Sequence, residues 1–355
     1  MKWPGHGSNP HFIYEAMNIP QPEKIIDLSA NINPLGPPPI LKEKWSSYFE
    51  KIVDYPDPNG NRLKELISSK ENLPKESILL GNGGAELITL VGRLFSGKSV
   101  LIVQPTFSEY EKACRANGCH VVYHQFNESW ELDMEALIEK LDKVDAVFLC
   151  NPNNPTGVCF SYESTRRIAE ACNQKGVYLV IDEAFYDFPK NYQSLTPILN
   201  DFPTVIILRS MTKMFTIPGL RLGYLLASES IVKILSSFQP HWSVNALAML
   251  VGEECLKDEL FINQTIDYIG TEREKLFEFF TQEEFSFSPS ETNFYILRDP
   301  QLDDQFPLFK FLLQHGVVPR HTMNFPGLEG KWLRFAIKSK SENDRLLELL
   351  KEWKQ

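Results

Sequence analysis

No stretch of this 355-residue chain is apolar for long enough to cross a bilayer. Its start, MKWPGHGSNPHF, lacks the apolar core that a secretion signal needs, so the cytoplasm is the expected location. Basic residues are short: 36 Lys and Arg stand against 46 Asp and Glu, a net charge of −10, with no basic tract. That balance argues against nucleic acid as the main partner. It leaves room for an anionic small molecule, because a few arginines can dominate a pocket. The six cysteines form no CxxC pair and no zinc spacing, so neither a disulfide framework nor a metal site is expected. There is no internal repeat and no low-complexity linker.

What is present is a series of short apolar runs, each closed by turn residues: SILL (77–80), SVLIVQ (99–104), HVVYH (120–124), DAVFLC (145–150), VYLVID (177–182), TVIILR (204–209) and LGYLLA (222–227). Amphipathic segments such as ELITLVGRLF (86–95) and ESTRRIAEACNQKG (163–176) separate many of them, and NRLKELISSK (61–70) also has helical spacing. Continuous apolar strands alternating with helices predict an α/β fold with a mostly parallel, seven-stranded sheet covered on both faces. Residues 1–40 are rich in Pro, Gly and Asn and read as an irregular arm. Residues 41–245 read as a large domain and 246–355 as a smaller α/β domain. In the latter, 243–282 is helical, 285–297 and 331–337 are strands, and FPLFKFLLQHG and ENDRLLELLKEWK are helices.

In open α/β sheets, ligands sit beyond the carboxyl ends of the strands. Four polar strings occupy such places. GNGGAEL (81–87) opens a helix with Gly83 and Gly84, whose free N–H groups suit an anion. A dinucleotide fingerprint would need a glycine where Glu86 stands. NPNNPTG (151–157) holds Asn154 in a proline-restricted turn. VIDEAFYDF (180–188) puts Asp182 at a strand end, with Glu183 facing the other side. LRSMTKMFTIPGLRLGY (208–224) places Ser210, Thr212, Lys213 and Arg221 together. PTFSEY (105–110) adds Phe107, a ring that could stack on a cofactor or simply fill the core. Each string alone also fits an ordinary turn. One ligand accounts for all of them: an aldehyde on a lysine, a phosphate, a phenolate oxygen and a pyridinium, which is pyridoxal 5′-phosphate (PLP).

With these motifs the chain resembles the fold-type I PLP enzymes, and within them the class I and II aminotransferase group. The nearest types are the threonine-phosphate decarboxylases of cobalamin synthesis and the histidinol-phosphate aminotransferases. The resemblance implies the following roles. Lys213 carries the cofactor as an imine, Asp182 meets the pyridine nitrogen and Asn154 meets O3′. Ser210, Arg221 and the amides of Gly84 and Ala85 bind the phosphate, and Phe107 stacks on the ring. Tyr55, in DYPDPNG, reaches the phosphate across a homodimer interface. Arg334, in WLRFAI, grips the substrate α-carboxylate. Many aminotransferases of this group have a tyrosine where this chain has Phe185, a departure from the histidinol-phosphate type. HGSN (6–9), SANINPLGPP (29–38) and PRHTMNFPGL (319–328) resemble the decarboxylases. In that pattern Asn31 and Asn33 line the substrate pocket, and Arg320 binds a substrate phosphate with His6.

The same residues serve decarboxylation and transamination, since only the Cα bond held perpendicular to the ring differs. A threonine-phosphate decarboxylase-like lyase is the first expectation and an aminotransferase acting on a phosphorylated or aromatic amino compound the second. A nicotinamide-binding oxidoreductase and a non-catalytic binding protein are the more distant ones.

Overall fold

The computed structural model describes Trp3 and residues 5–355. The amino-terminal arm is more ordered than its composition suggests. It holds a helix, His11–Met17, and a short strand β1, Ile26–Asp27. The apolar side of that helix supplies the reason: Ile13 and Tyr14 are buried, and the Tyr14 hydroxyl donates to the Leu313 carbonyl at 3.0 Å.

The seven expected runs form one sheet: β2 (Ile78–Gly81), β3 (Ser99–Gln104), β4 (His120–Gln125), β5 (Ala146–Cys150), β6 (Tyr178–Asp182), β7 (Val205–Ser210) and β8 (Gly223–Ala227). Their order across the sheet is β2-β8-β7-β6-β5-β3-β4. Only β8 runs against the others, pairing antiparallel with both β2 and β7. Helices cover both faces, and the strand residues alternate between two apolar clusters. Leu179, Ile181, Val205 and Ile207 lie in one; Val180, Ile206 and Leu208 lie in the other. Burial on both sides is why the strands other than the partly exposed edge strand β4 read as unbroken apolar runs.

The carboxy-terminal part builds a four-stranded antiparallel sheet from β9 (Ser286–Phe287), β10 (Phe294–Arg298), β12 (Arg320–His321) and β13 (Leu333–Ala336), in the order β12-β13-β10-β9. The single strand expected over 285–297 is thus two strands. The polar run SPSET between them has no apolar face to bury, and it turns the chain so that β9 pairs antiparallel with β10. The helices Glu259–Gln282, Phe306–Gln314 and Lys340–Trp353 lie in this part, the last opened by a capping box of Ser339 and Glu342. One further strand, β11 (Val317–Val318), pairs in parallel with β1. Just beyond β1, Leu28 donates to the Val318 carbonyl and accepts from the Ala336 amide, so the arm is stitched into the far end of the chain.

Under the carboxyl ends of β6 and β7 lies a buried ionic cluster. Arg209 is 1% exposed and donates to Glu183, Glu71, Ser194 and Thr196, while Tyr186 lies over its guanidinium at 3.7 Å. Strand alternation puts Glu183 here and Asp182 on the opposite face. Removing the cation leaves two buried carboxylates unpaired. Arg209→Met is therefore expected to cost about 3–5 kcal/mol, read as a lower urea midpoint. Adding Glu71→Gln and Glu183→Gln should recover much of it. An unchanged midpoint in the single variant would show that the cluster contributes nothing.

Candidate active site

A cavity of about 350 Å³ opens where β2, β3, β5, β6 and β7 end. Arg221 reaches the same edge although it precedes its strand, because β8 runs backward and begins there. The expected residues Gly84, Ala85, Phe107, Asn154, Asp182, Ser210, Lys213 and Arg221 all line this cavity. So do His6, Asn31, Arg320 and Arg334.

Lys213 faces the cavity. Burial pulls its amine down to about 8, and Arg334 and Arg221 push the same way while Asp182 opposes them. Asp182 is buried, which pushes its carboxyl up to about 6. Two donors hold it back toward the charged form: the Tyr110 hydroxyl reaches Oδ2 at 2.5 Å and the Ala184 amide reaches Oδ1 at 2.9 Å. Ser210 and Thr212 hydroxyls lie 2.8 Å apart. Beside them Arg221 sits in the left-handed region at φ 61°, a strained conformation of the kind that clusters at functional sites. Gly83, at φ 75°, makes room for it: a Cβ there would stand 2.5 Å from an Arg221 Nη. The helix that opens at Gly83, Gly83–Leu94, presents its first amides to the same corner.

Arg334 and Arg320 face each other across β13 and β12, in register. Arg334 donates to Asn154 Oδ1 at 2.6 Å and to the Ser29 carbonyl at 2.7 Å, and its Nε is buried without a partner. Arg320 donates to the Gly5 carbonyl at 2.8 Å and to Asn324 Oδ1 at 2.7 Å. Among the described residues neither guanidinium has a carboxylate within ion-pair distance, and burial lowers the pKa of both. Like charges directly opposite in a sheet are destabilising. Packing gives no reason for such a pair, so the pair points to an anionic ligand. Asp182 is the one carboxylate that lines the cavity among the described residues.

The arm supplies a wall through Gly5, His6, Gly7 and Ser8. Gly7 packs so closely on Ser29 that a Cβ would meet the Ser29 carbonyl oxygen at 2.1 Å. His6 lies 3.0 Å from Glu109, and burial, the larger effect, lowers its pKa.

Asn33 requires a correction. It does not line the cavity. Its amide side chain donates to the Met214 carbonyl and to Thr265 Oγ1, and its backbone N–H to the Lys213 carbonyl. The turn at 30–33 directs Asn31 inward and Asn33 behind the lysine loop, where it braces that loop. The Asn31 Oδ1 is buried without a partner on the cavity side. Tyr55 stands apart from this chain's cavity, 82% exposed, with its ring 4.8 Å from that of Trp242. Sequence reading passed over Tyr110, although it lies within PTFSEY three residues after Phe107. Phe325 and Cys150, which also line the cavity, were passed over too.

The aminotransferase class I and II family model matches residues 23–350. The chain belongs to the class I and II aminotransferases. A threonine-phosphate decarboxylase of Salmonella typhimurium is 35% identical over 98% of this chain and 95% of its own length. The solved histidinol-phosphate aminotransferase of Clostridium acetobutylicum superposes with a TM-score of 0.87 at 32% identity, covering 92% of this chain and 98% of that one. A Sinorhizobium meliloti histidinol-phosphate aminotransferase, solved with PLP, shares the fold at a TM-score of 0.86 and 21% identity, over 98% of this chain and 95% of its own. The chain is an enzyme, and its cofactor is PLP. The cavity fits that group: an amine of lowered pKa, a corner of amides, hydroxyls and Arg221 that would suit a phosphate, and a buried carboxylate that would pair with a pyridinium.

The lowered pKa of Lys213 has a definite sign. The neutral amine, which attacks an aldehyde, is populated as pH rises through about 8 instead of 10.5. Borohydride trapping of pyridoxal on cofactor-free protein is expected to rise with a midpoint near 8. A midpoint above 10 would contradict it.

Proposed function

We propose that this protein decarboxylates a phosphorylated amino acid, with threonine phosphate as the representative substrate. The observation that carries this reading is the facing pair Arg320 and Arg334, buried in one cavity, neither with a carboxylate within ion-pair distance among the described residues. Arg221 and the phosphate corner serve the cofactor, which leaves two guanidiniums for the substrate. Threonine phosphate has two anionic groups to offer them; histidinol phosphate has a phosphate and no carboxylate. Phe185 supports the same choice, since it presents a ring and no hydroxyl to the cavity, packed 4.7 Å from Phe294.

In this reading Lys213 holds the cofactor aldehyde through Nζ, and Asp182 keeps the pyridine nitrogen protonated. Ser210 and Arg221, with the amides of Gly84 and Ala85, hold the phosphate, and Asn154 donates to O3′ while its Oδ1 stays on Arg334. Phe107 covers one ring face. PLP supplies an electron sink for the bond broken at Cα. Arg334 fixes the substrate carboxylate through its free Nε, and Arg320 with His6 takes the substrate phosphate. Asn31 offers its free Oδ1 to the substrate amine or hydroxyl. Lys213 Nζ would be the group that returns a proton to the substrate carbon.

A homodimer belongs to this reading. Tyr55 and Trp242 lie exposed, as do Trp45, Phe49, Ile52 and Val53, large apolar side chains that a second copy would cover. There Tyr55 would reach the partner's cofactor phosphate.

A second reading, transamination of a histidinol-phosphate type, draws on the 32% identity and 0.87 TM-score to the Clostridium enzyme. Products separate the two. Threonine phosphate should yield CO2 and a phosphorylated amino alcohol in equal amounts; a keto acid or aldehyde without CO2 would sink the decarboxylase reading. Lys213→Ala should abolish any borohydride-trapped cofactor adduct, and a modified peptide mapping elsewhere would refute the lysine's role. Arg320→Met removes charge-assisted hydrogen bonds to the phosphate, so KM should rise about 10- to 100-fold with a smaller change in kcat. A normal KM would place the phosphate elsewhere.

A further inference from the structure

We propose that Tyr110 is a positioning residue that holds Asp182 as an ionised, fixed carboxylate for the cofactor ring. The inference rests on the role given to Asp182 above and goes beyond it by naming what keeps that carboxylate in service. Tyr110 is the second residue of the helix Glu109–Ala116, and its ring is 1% exposed. Its hydroxyl points along the sheet to β6 and donates to Asp182 Oδ2 at 2.5 Å, a contact 72 residues away in sequence. Oδ1 takes the Ala184 amide. Each oxygen keeps a lone pair for a proton carried by the ring nitrogen.

The surroundings give Tyr110 its weight. Asp182 lies in an apolar environment with Val180, Leu208 and Cys150 about it, and Cys150 and Leu208 sit directly opposite on the neighbouring strands. The charged and titratable groups that act on it are Tyr110 from the helix, Cys150 from β5, Glu183 from its own strand and Lys213 from the loop after β7. Glu183 opposes its charge and Lys213 favours it. Lys213 is the residue that would hold the cofactor, so its free ammonium would not be available to Asp182 in the loaded enzyme. The Tyr110 hydroxyl is a donor that persists: burial and the Asp182 charge hold it well above the ordinary tyrosine range, so it stays protonated wherever the enzyme works. The same ring stands edge-on to Phe107, with centroids 5.9 Å apart at 81°. One side chain thus braces both the carboxylate at the ring nitrogen and the aromatic over the ring face.

The test compares wild type, Tyr110→Phe and a protein with 3-fluorotyrosine at position 110. The full chain is labelled with 13Cγ aspartate and freed of cofactor. Asp182 is identified as the signal lost in Asp182→Asn, and its titration is followed by NMR. Loss of a donor to the charged form raises a carboxyl pKa. The Asp182 midpoint should therefore move up from about 6 by roughly one to two pH units in Tyr110→Phe. Fluorotyrosine, a stronger donor of nearly the same shape, should move it down, and it carries the test if Tyr110→Phe does not fold. Midpoints matching wild type in the folded variants overturn the proposal. In holoenzyme, Tyr110→Phe should shift the pH at which the bound cofactor's absorbance changes, in the same upward direction. Asp182→Asn isolates the underlying reading. If it leaves the cofactor spectrum as in wild type, Asp182 does not meet the ring and the proposal falls with it. If that spectrum changes while the Tyr110 variants titrate normally, only the part played by Tyr110 is lost.

Discussion

Positive charge held in a cavity where Asp182 is the one carboxylate among the described residues is the constraint around which the rest of this structure is arranged. Lys213, Arg221, Arg320 and Arg334 share one space with Asp182. Taking charges out of water is expensive, and the folded chain does not neutralise them. It steadies two of the guanidiniums with neutral acceptors instead: the carbonyls of Gly5 and Ser29 and the side-chain oxygens of Asn154 and Asn324. Such acceptors orient a guanidinium while leaving its net charge available. In the proposed reading, anionic groups of the substrate would relieve the mutual repulsion of these cations.

A few residues away the opposite arrangement occurs. Arg209, within β7, points to the other face of the sheet and meets Glu71 and Glu183. One register step separates the two worlds: Asp182 and Ser210 face the cavity, while Glu183 and Arg209 face the internal cluster. The closed cluster ties the helix ending at Glu71 to β6 and β7, and it gives the strand ends a fixed floor. The open one can then accept ligands without the sheet edge shifting.

Much of this was legible in the sequence, for physical reasons. Strands buried on both faces carry few polar residues, so runs such as DAVFLC and VYLVID stand out, and a polar residue at the end of one is conspicuous. Two-residue alternation separates Asp182 from Glu183 without coordinates. What could not be read depends on where loops turn. Asn31 and Asn33 look equivalent in SANINPLGPP, yet the turn sends one amide into the cavity and the other behind Lys213. Tyr110 reads as a buried aromatic in a short helix, because its partner lies 72 residues away on another strand. The helix His11–Met17 was hidden by the prolines and glycines around it, and the break between β9 and β10 by the apolar residues on either side.

The arm carries a consequence for the order of assembly. Its residues 5–8 wall the cavity, and the strand after them needs Val317, Val318 and the amide of Ala336 to close against. The wall around residues 5–8 thus depends on contacts about 290 residues away in sequence, between β1 and β11. Closing so long a loop costs chain entropy that only an already formed sheet edge repays, so the wall is set after that edge in folding.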